Sequence, residues 1–226
     1  MLTRMTTALI LVSGAIGPAY ASPIVLANTI PSGSLFTQPP VLTGAAPLLG
    51  GGGVVVADAF TAPVSAALSQ ISVVVDYEIL PQFGITGTSP LLLTLLTDNH
   101  DSPGTPIESW ILPLLPSDTS LTIVTGNSIT NSVLLAGDQY WVSVVPTDPV
   151  TTGIGWGLTT PGIQLPVAET LAGVNAGWLP AQLNLANEFS VSGTVVPEPA
   201  TFGTPALVLL MIGRLRGKRM RRAFIP

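Results

Sequence analysis

The sequence predicts an all-β fold, a single β-sandwich set between two targeting segments. Three observations predict it. Short apolar runs recur through the middle of the chain, each closed by turn residues. Gly and Pro are abundant, at 23 and 22 of 226 residues, and supply those turns. One segment, Ile71-Ser72-Val73-Val74-Val75-Asp76-Tyr77-Glu78-Ile79, alternates with the period of two that puts Ile71, Val73, Val75, Tyr77 and Ile79 on one face of a strand.

The first element, residues 1–21, reads as a secretion signal. Arg4 forms a basic start, residues 8–16 an apolar run, and Ala19-Tyr20-Ala21 a small-x-small cleavage site, with the cut expected after Ala21. Gly17 and Pro18 stop the run well short of the ~20 residues that a membrane-spanning helix needs. Residues 22–53 are rich in Pro and Gly and read as a linker. Their end, Gly50-Gly51-Gly52-Gly53, has no following Lys-Ser or Lys-Thr to make it a phosphate cradle.

Residues 54–195 form the expected domain. Its strands are predicted at 54–60, 71–80, 91–97, 107–115, 121–125, 128–135, 139–145, 154–159 and 189–195. Ser72, Asp76 and Glu78 fall on the polar face of the second strand and are expected to meet solvent. Segment 139–145 carries β-branched and aromatic residues on both faces, the mark of a central strand covered on both sides. Residues 166–187 lack a clean period of two, and 168–174 fit a short helix.

The last element begins with Val196-Pro197-Glu198-Pro199-Ala200-Thr201. An apolar stretch over residues 202–213 follows, and then Arg214, Arg216, Lys218, Arg219, Arg221 and Arg222. As a helix the apolar stretch covers ~18 Å, and ~26 Å counted from Pro197, against a hydrocarbon core of ~30 Å. It is a short anchor. Glu198 near its start and the basic cluster at its end both complement the helix dipole. The basic cluster holds the tail on the cytoplasmic side and leaves the domain outside.

Charge placement excludes whole classes of function. Between Arg4 and Arg214 there is no Lys or Arg, whereas all twelve acidic residues lie in that interval. Nucleic-acid binding by the domain is therefore not expected, because it depends on cations that neutralise phosphates. The chain has no cysteine, so disulfides and thiol chemistry are ruled out and packing alone must hold an exported domain together.

The ordered tail of Val196 to Thr201, apolar run and Arg-rich end resembles the PEP-CTERM sorting signal of Gram-negative bacteria. That resemblance implies the secretion translocon and an exosortase, a membrane protease and transpeptidase, as partners. It also implies delivery to the cell surface or the exopolysaccharide matrix, with a transient or permanent carboxy-terminal membrane anchor. The body resembles the choice-of-anchor domains in Val56-Ala57-Asp58-Ala59-Phe60-Thr61, in residues 95–106 and in residues 135–142. This second resemblance implies a jelly-roll-like β-sandwich and no particular activity.

Few groups are candidates for chemistry. Asp98, Asn99 and Asp101, with His100 between them, offer oxygen-rich ligands for calcium, or else a β-turn in which Asp and Asn bond their own backbone ahead of Pro103-Gly104. Asp76 and Glu78 are spaced as a carboxylate pair and are equally accounted for by a solvated strand face. His100 is the only histidine, and no Gly-x-Ser-x-Gly elbow accompanies it. Trp156, between Gly155 and Gly157, and Trp178, after Gly177, are expected to be the more exposed tryptophans and candidates for stacking on sugars; the alternative is that they belong to the core. No catalytic residue and no cofactor is expected. The leading expectation is a non-enzymatic surface or matrix protein, and the alternative is a carbohydrate-binding module.

Overall fold

The structure is a computed structural model that describes residues 22–30, 38–44, 54–78, 81, 85–113, 121–159, 165–171, 177–180 and 186–196. Outside the described residues lie the expected signal with Ala19 and Ala21, positions 197–201 of the tail motif, the apolar run and the basic cluster.

The described residues form an all-β architecture of two antiparallel sheets. In chain order the strands are β1 (Pro23–Asn28), β2 (Gln38–Gly44), β3 (Val54–Thr61), β4 (Ala66–Glu78), β5 (Leu91–Asp98), β6 (Pro103–Leu112) and β7 (Thr122–Asn127). They continue with β8 (Val133–Leu134), β9 (Gln139–Pro146), β10 (Gly153–Leu158), β11 (Val167–Leu171), β12 (Leu179–Pro180) and β13 (Phe189–Val195).

One sheet is built around β4, whose thirteen residues extend about 40 Å. Strands β13 and then β10 lie along one edge of β4, with β1 outside β13 and β2 outside β10. Along its other edge lie β8 and β7. The second sheet runs β6, β5, β9, β3, β11, β12. The pair Gly44 and Val54 joins the two.

The core lies between the sheets. Ile71, Val73, Val75 and Tyr77 of β4 face it, as their alternation predicts, together with Trp156 and Phe189. The other sheet contributes Phe60, Leu91, Leu93, Leu95, Val142 and Val144. Phe60 meets Phe189 across the gap with ring centroids 6.1 Å apart. Strand β9 is central, between β3 and β5, and is covered on both faces. Its Tyr140, Val142 and Val144 join the main core, while Trp141 packs with Ala57, Ala59, Leu96 and Ala168 on the opposite face.

Four expectations need correction. Residues 22–53 hold strands β1 and β2 rather than only a linker. Their prolines hid them: Pro23 opens β1, an edge strand, and Pro39 and Pro40 fall where the β2–β10 register breaks, both places where a missing N–H is tolerated. The expected short helix at 168–174 overlaps β11, which pairs with β3. The strand expected at 128–135 shrinks to β8, because residues 128–132 form a loop gripped by Glu108. Asp76, expected in solvent, is buried and accepts the Gly155 N–H at 3.1 Å.

Candidate functional site

Both ends of the described chain meet at one end of the sandwich. Pro23 of β1 lies opposite Thr194 of β13, and Val195 lies opposite Ala66 at the start of β4. Val196, the first residue of the tail motif, donates its N–H to the Ser65 carbonyl at 3.0 Å. The Ser65 hydroxyl in turn accepts the Ala136 N–H at 3.1 Å. At this end also, Gly137 donates to the Ala62 carbonyl and Ala62 to that of Asp138. Gly137 makes this turn at φ 84°, a conformation that costs glycine little.

The same end carries a depression of about 370 Å³ lined by Thr97, Asp98, Gly137, Asp138, Gln139 and Tyr140. Its lining is polar, with the Asp98 carboxylate as a hydrogen-bond acceptor at its side. Asp98 Oδ1 takes the Trp141 indole N–H at 2.8 Å and the Gln139 amide at 3.0 Å, while Oδ2 takes the Asp101 N–H at 3.3 Å. Slight burial pushes the Asp98 carboxyl up, but the donors Trp141, Asp101 and Gln139 together hold it below the usual range. The Tyr140 hydroxyl is fixed by the Leu135 N–H at 2.8 Å.

For the loop at Asp98 to Asp101, the turn describes the geometry. Asn99 donates its N–H to the Ser102 carbonyl at 2.7 Å, and His100 and Asp101 sit at φ 56° and 60°. This is a two-residue hairpin loop joining β5 to β6, with both central residues left-handed as a type I′ turn requires. The carboxylate of Asp98 is already spoken for by three protein donors, so it is a stop for the hairpin and for Trp141. Asn99 Oδ1 lies 3.1 Å from His100 Nδ1.

The tryptophans divide differently from expectation. Trp156 is fully buried, its flanking glycines notwithstanding, and donates to the Glu188 carbonyl at 3.0 Å. It offers no face to a sugar. Trp178 is half-buried against the Trp141 cluster. Glu78 stands opposite Gly153 on β4, and the burial of Asp76 removes the open carboxylate pair that the spacing suggested.

Three buried carboxyls went unnoticed in the sequence. Glu108 accepts from the Ile129 N–H at 2.6 Å, from the Ser128 and Thr130 hydroxyls at 2.8 Å each, and from the Thr130 N–H. Burial raises its carboxyl, but these donors outweigh that and set it below the usual range. Asp58 faces the core opposite Val142 and accepts from the backbone and side-chain nitrogens of Asn187. Burial pushes it up to about 7 despite those bonds. Glu188 has no hydrogen-bond partner on either carboxyl oxygen, and burial raises it to about 7 as well. It occupies the space left by Gly157, where a Cβ would come within 2.9 Å of Oε2. A usable signal existed: Asp58 interrupts an apolar strand at the inward parity of Val56 and Phe60.

Comparison with protein-family models, curated proteins and solved structures found no match to this chain.

Proposed function

We propose that this chain is an exported, non-enzymatic protein of the cell surface or exopolysaccharide matrix, sorted through its carboxy-terminal PEP-CTERM-like signal. The observation that carries the reading is the order of Val196-Pro197-Glu198-Pro199-Ala200-Thr201, an apolar run and six basic residues, behind an amino-terminal secretion signal. Its partners on this reading are the translocon, an exosortase-like enzyme and extracellular polysaccharide. The sandwich is of the jelly-roll kind, as the resemblance to choice-of-anchor domains implies.

The placement of the chain ends supports this reading. The cut expected after Ala21 leaves Ser22 one residue before β1, and the sorting motif starts one residue after β13. Since β1 and β13 are paired, both processing points are carried by neighbouring strands. An internal strand, fixed between β1 and β4, leads into the motif. The carbohydrate-binding alternative is weakened by the burial of Trp156.

Intact-mass measurement of the exported protein tests the proposal. Loss of residues through Ala21 and of the tail within residues 197–201 is expected. A mature product that keeps its full carboxy terminus would count against exosortase handling.

A further inference from the structure

Of the nine exposed large apolar side chains among the described residues, four lie on the segments around the point where Val196 emerges. Val133 and Leu135 flank buried Leu134 and are each 53% exposed, while Val64, next to Ser65, is 38% exposed. Ile129, at 83%, lies in the loop that leads into β8. That loop is ordered by design of its bonds: Glu108 fixes the Ile129 backbone, and the Ser132 carbonyl accepts the Leu68 N–H at 2.9 Å. A loop whose backbone is already held in place is partly preorganised for contact, leaving only side-chain ordering to offset.

The tail says what covers them. Only residues 197–201 separate Val196 from the apolar run, at most ~17 Å of extended chain. The headgroup layer on each side of a bilayer takes up roughly 5–8 Å of that. With roughly 5–8 Å of a ~17 Å tether inside the headgroup layer, the domain is held within about 12 Å of the lipid surface. Tethering also makes the contact intramolecular, with an effective concentration on the order of mM, which favours a contact too weak to hold a free domain at lower concentration. The short apolar run, itself a marginal span, gains from the added contact.

We infer that this end of the sandwich, through Val64, Ile129, Val133 and Leu135, rests on the outer surface of a phospholipid bilayer while the tail is in place. The inference builds on the membrane reading of the tail given above. The attraction is apolar, because the described residues hold no Lys or Arg, and Asp98 and Asp138 at this end repel anionic headgroups. A zwitterionic surface is therefore the partner that fits.

The chain has no cysteine, so single cysteines can report on depth. Full-length protein carrying Leu135→Cys, Val133→Cys, Val150→Cys or Leu209→Cys is labelled with nitrobenzoxadiazole and reconstituted into phosphatidylcholine vesicles. Val150, 57% exposed, follows the end of β9 farthest from Val196 and serves as the aqueous reference. The expected result is a blue shift at Leu209, Leu135 and Val133 and none at Val150. A shift at Leu209 with Leu135 and Val133 matching Val150 overturns the docking and leaves the tail reading standing. A shift at all four positions, Val150 included, also overturns it. No shift at Leu209 overturns the membrane reading and the docking with it.

Discussion

Asp58 and Asn187 join the two sheets through the middle of the core, 129 residues apart in sequence. Asp58 Oδ2 accepts both the backbone N–H, at 3.2 Å, and the side-chain amide of Asn187. The remaining oxygens of the pair, Asp58 Oδ1 and Asn187 Oδ1, have no hydrogen-bond donor. A proton on Asp58 would relieve that mismatch by giving the pair one more donor. Burial pushes the carboxyl up to about 7, and the two bonds from Asn187 pull it only part of the way back.

Stability should therefore depend on pH in an unusual direction. The Asp58 pKa is higher in the folded state, about 7, than in the unfolded chain, near 3.8. Its stabilising effect is complete below pH ~4 and is lost as pH rises toward 7, on the order of 4 kcal/mol. Glu188, raised from 4.5 to about 7, acts in the same direction. Urea unfolding at pH 5 and pH 8 should give the lower midpoint at pH 8. Asp58→Asn should flatten the difference, and an equal loss in that variant would dismiss Asp58 as its source.

Glu188→Gln should leave the protein at least as stable as the parent at pH 8, because it removes a buried charge that no donor satisfies. At pH 5, where Glu188 is already neutral, the variant should gain little. Thermal unfolding at the two pH values distinguishes this from a simple packing change, which would be equal at both.

Glu108 acts in the opposite sense, since its donors lower its pKa. Its contribution is present above its unfolded value and is lost as pH falls through the folded one. Glu108→Ala should cost about 2–3 kcal/mol. Hydrogen exchange should show the Ile129 and Thr130 amides losing protection first, whereas uniform loss across the core would speak against a local role.

Asp101→Gly should stabilise the hairpin between β5 and β6. Asp101 holds φ 60°, a left-handed conformation that glycine adopts without its Cβ penalty. A gain of about 0.5–1 kcal/mol is expected. Loss of the Asp101 side chain removes none of the bonds that fix Asp98, because the donor there is the Asp101 backbone. A lower melting temperature would contradict this.

Gly126→Ala tests the contact between β6 and β7. A Cβ at Gly126 would fall 2.8 Å from Trp110 Cγ and 3.2 Å from Leu93 Cδ2. The Trp110 indole is also bonded to the Asn127 carbonyl at 2.8 Å, so the ring has little room to retreat. A destabilisation of about 1–3 kcal/mol is expected, accompanied by a change in tryptophan near-ultraviolet circular dichroism.

The sequence alone determined the class of fold and the faces of its clearest strands. Ile71, Val73, Val75 and Tyr77 face the core because a strand sends alternate side chains to the same side. The central place of β9 was legible from apolar residues at both parities. Sequence alone also separated charge, placing every Lys and Arg outside residues 5–213. Only the tertiary structure decided which carboxyls are buried. Asp76, Glu108 and Glu188 give no sign of burial in the chain, and Asp58, though its parity points inward, shows no partner there; these environments come from segments far away, such as Asn187 for Asp58 and residues 128–130 for Glu108. Local alternation fixes a side chain's direction, but what lies in that direction is set by how the sheets pack. The meeting of β1 with β13, and so of the two chain ends, is decided there as well.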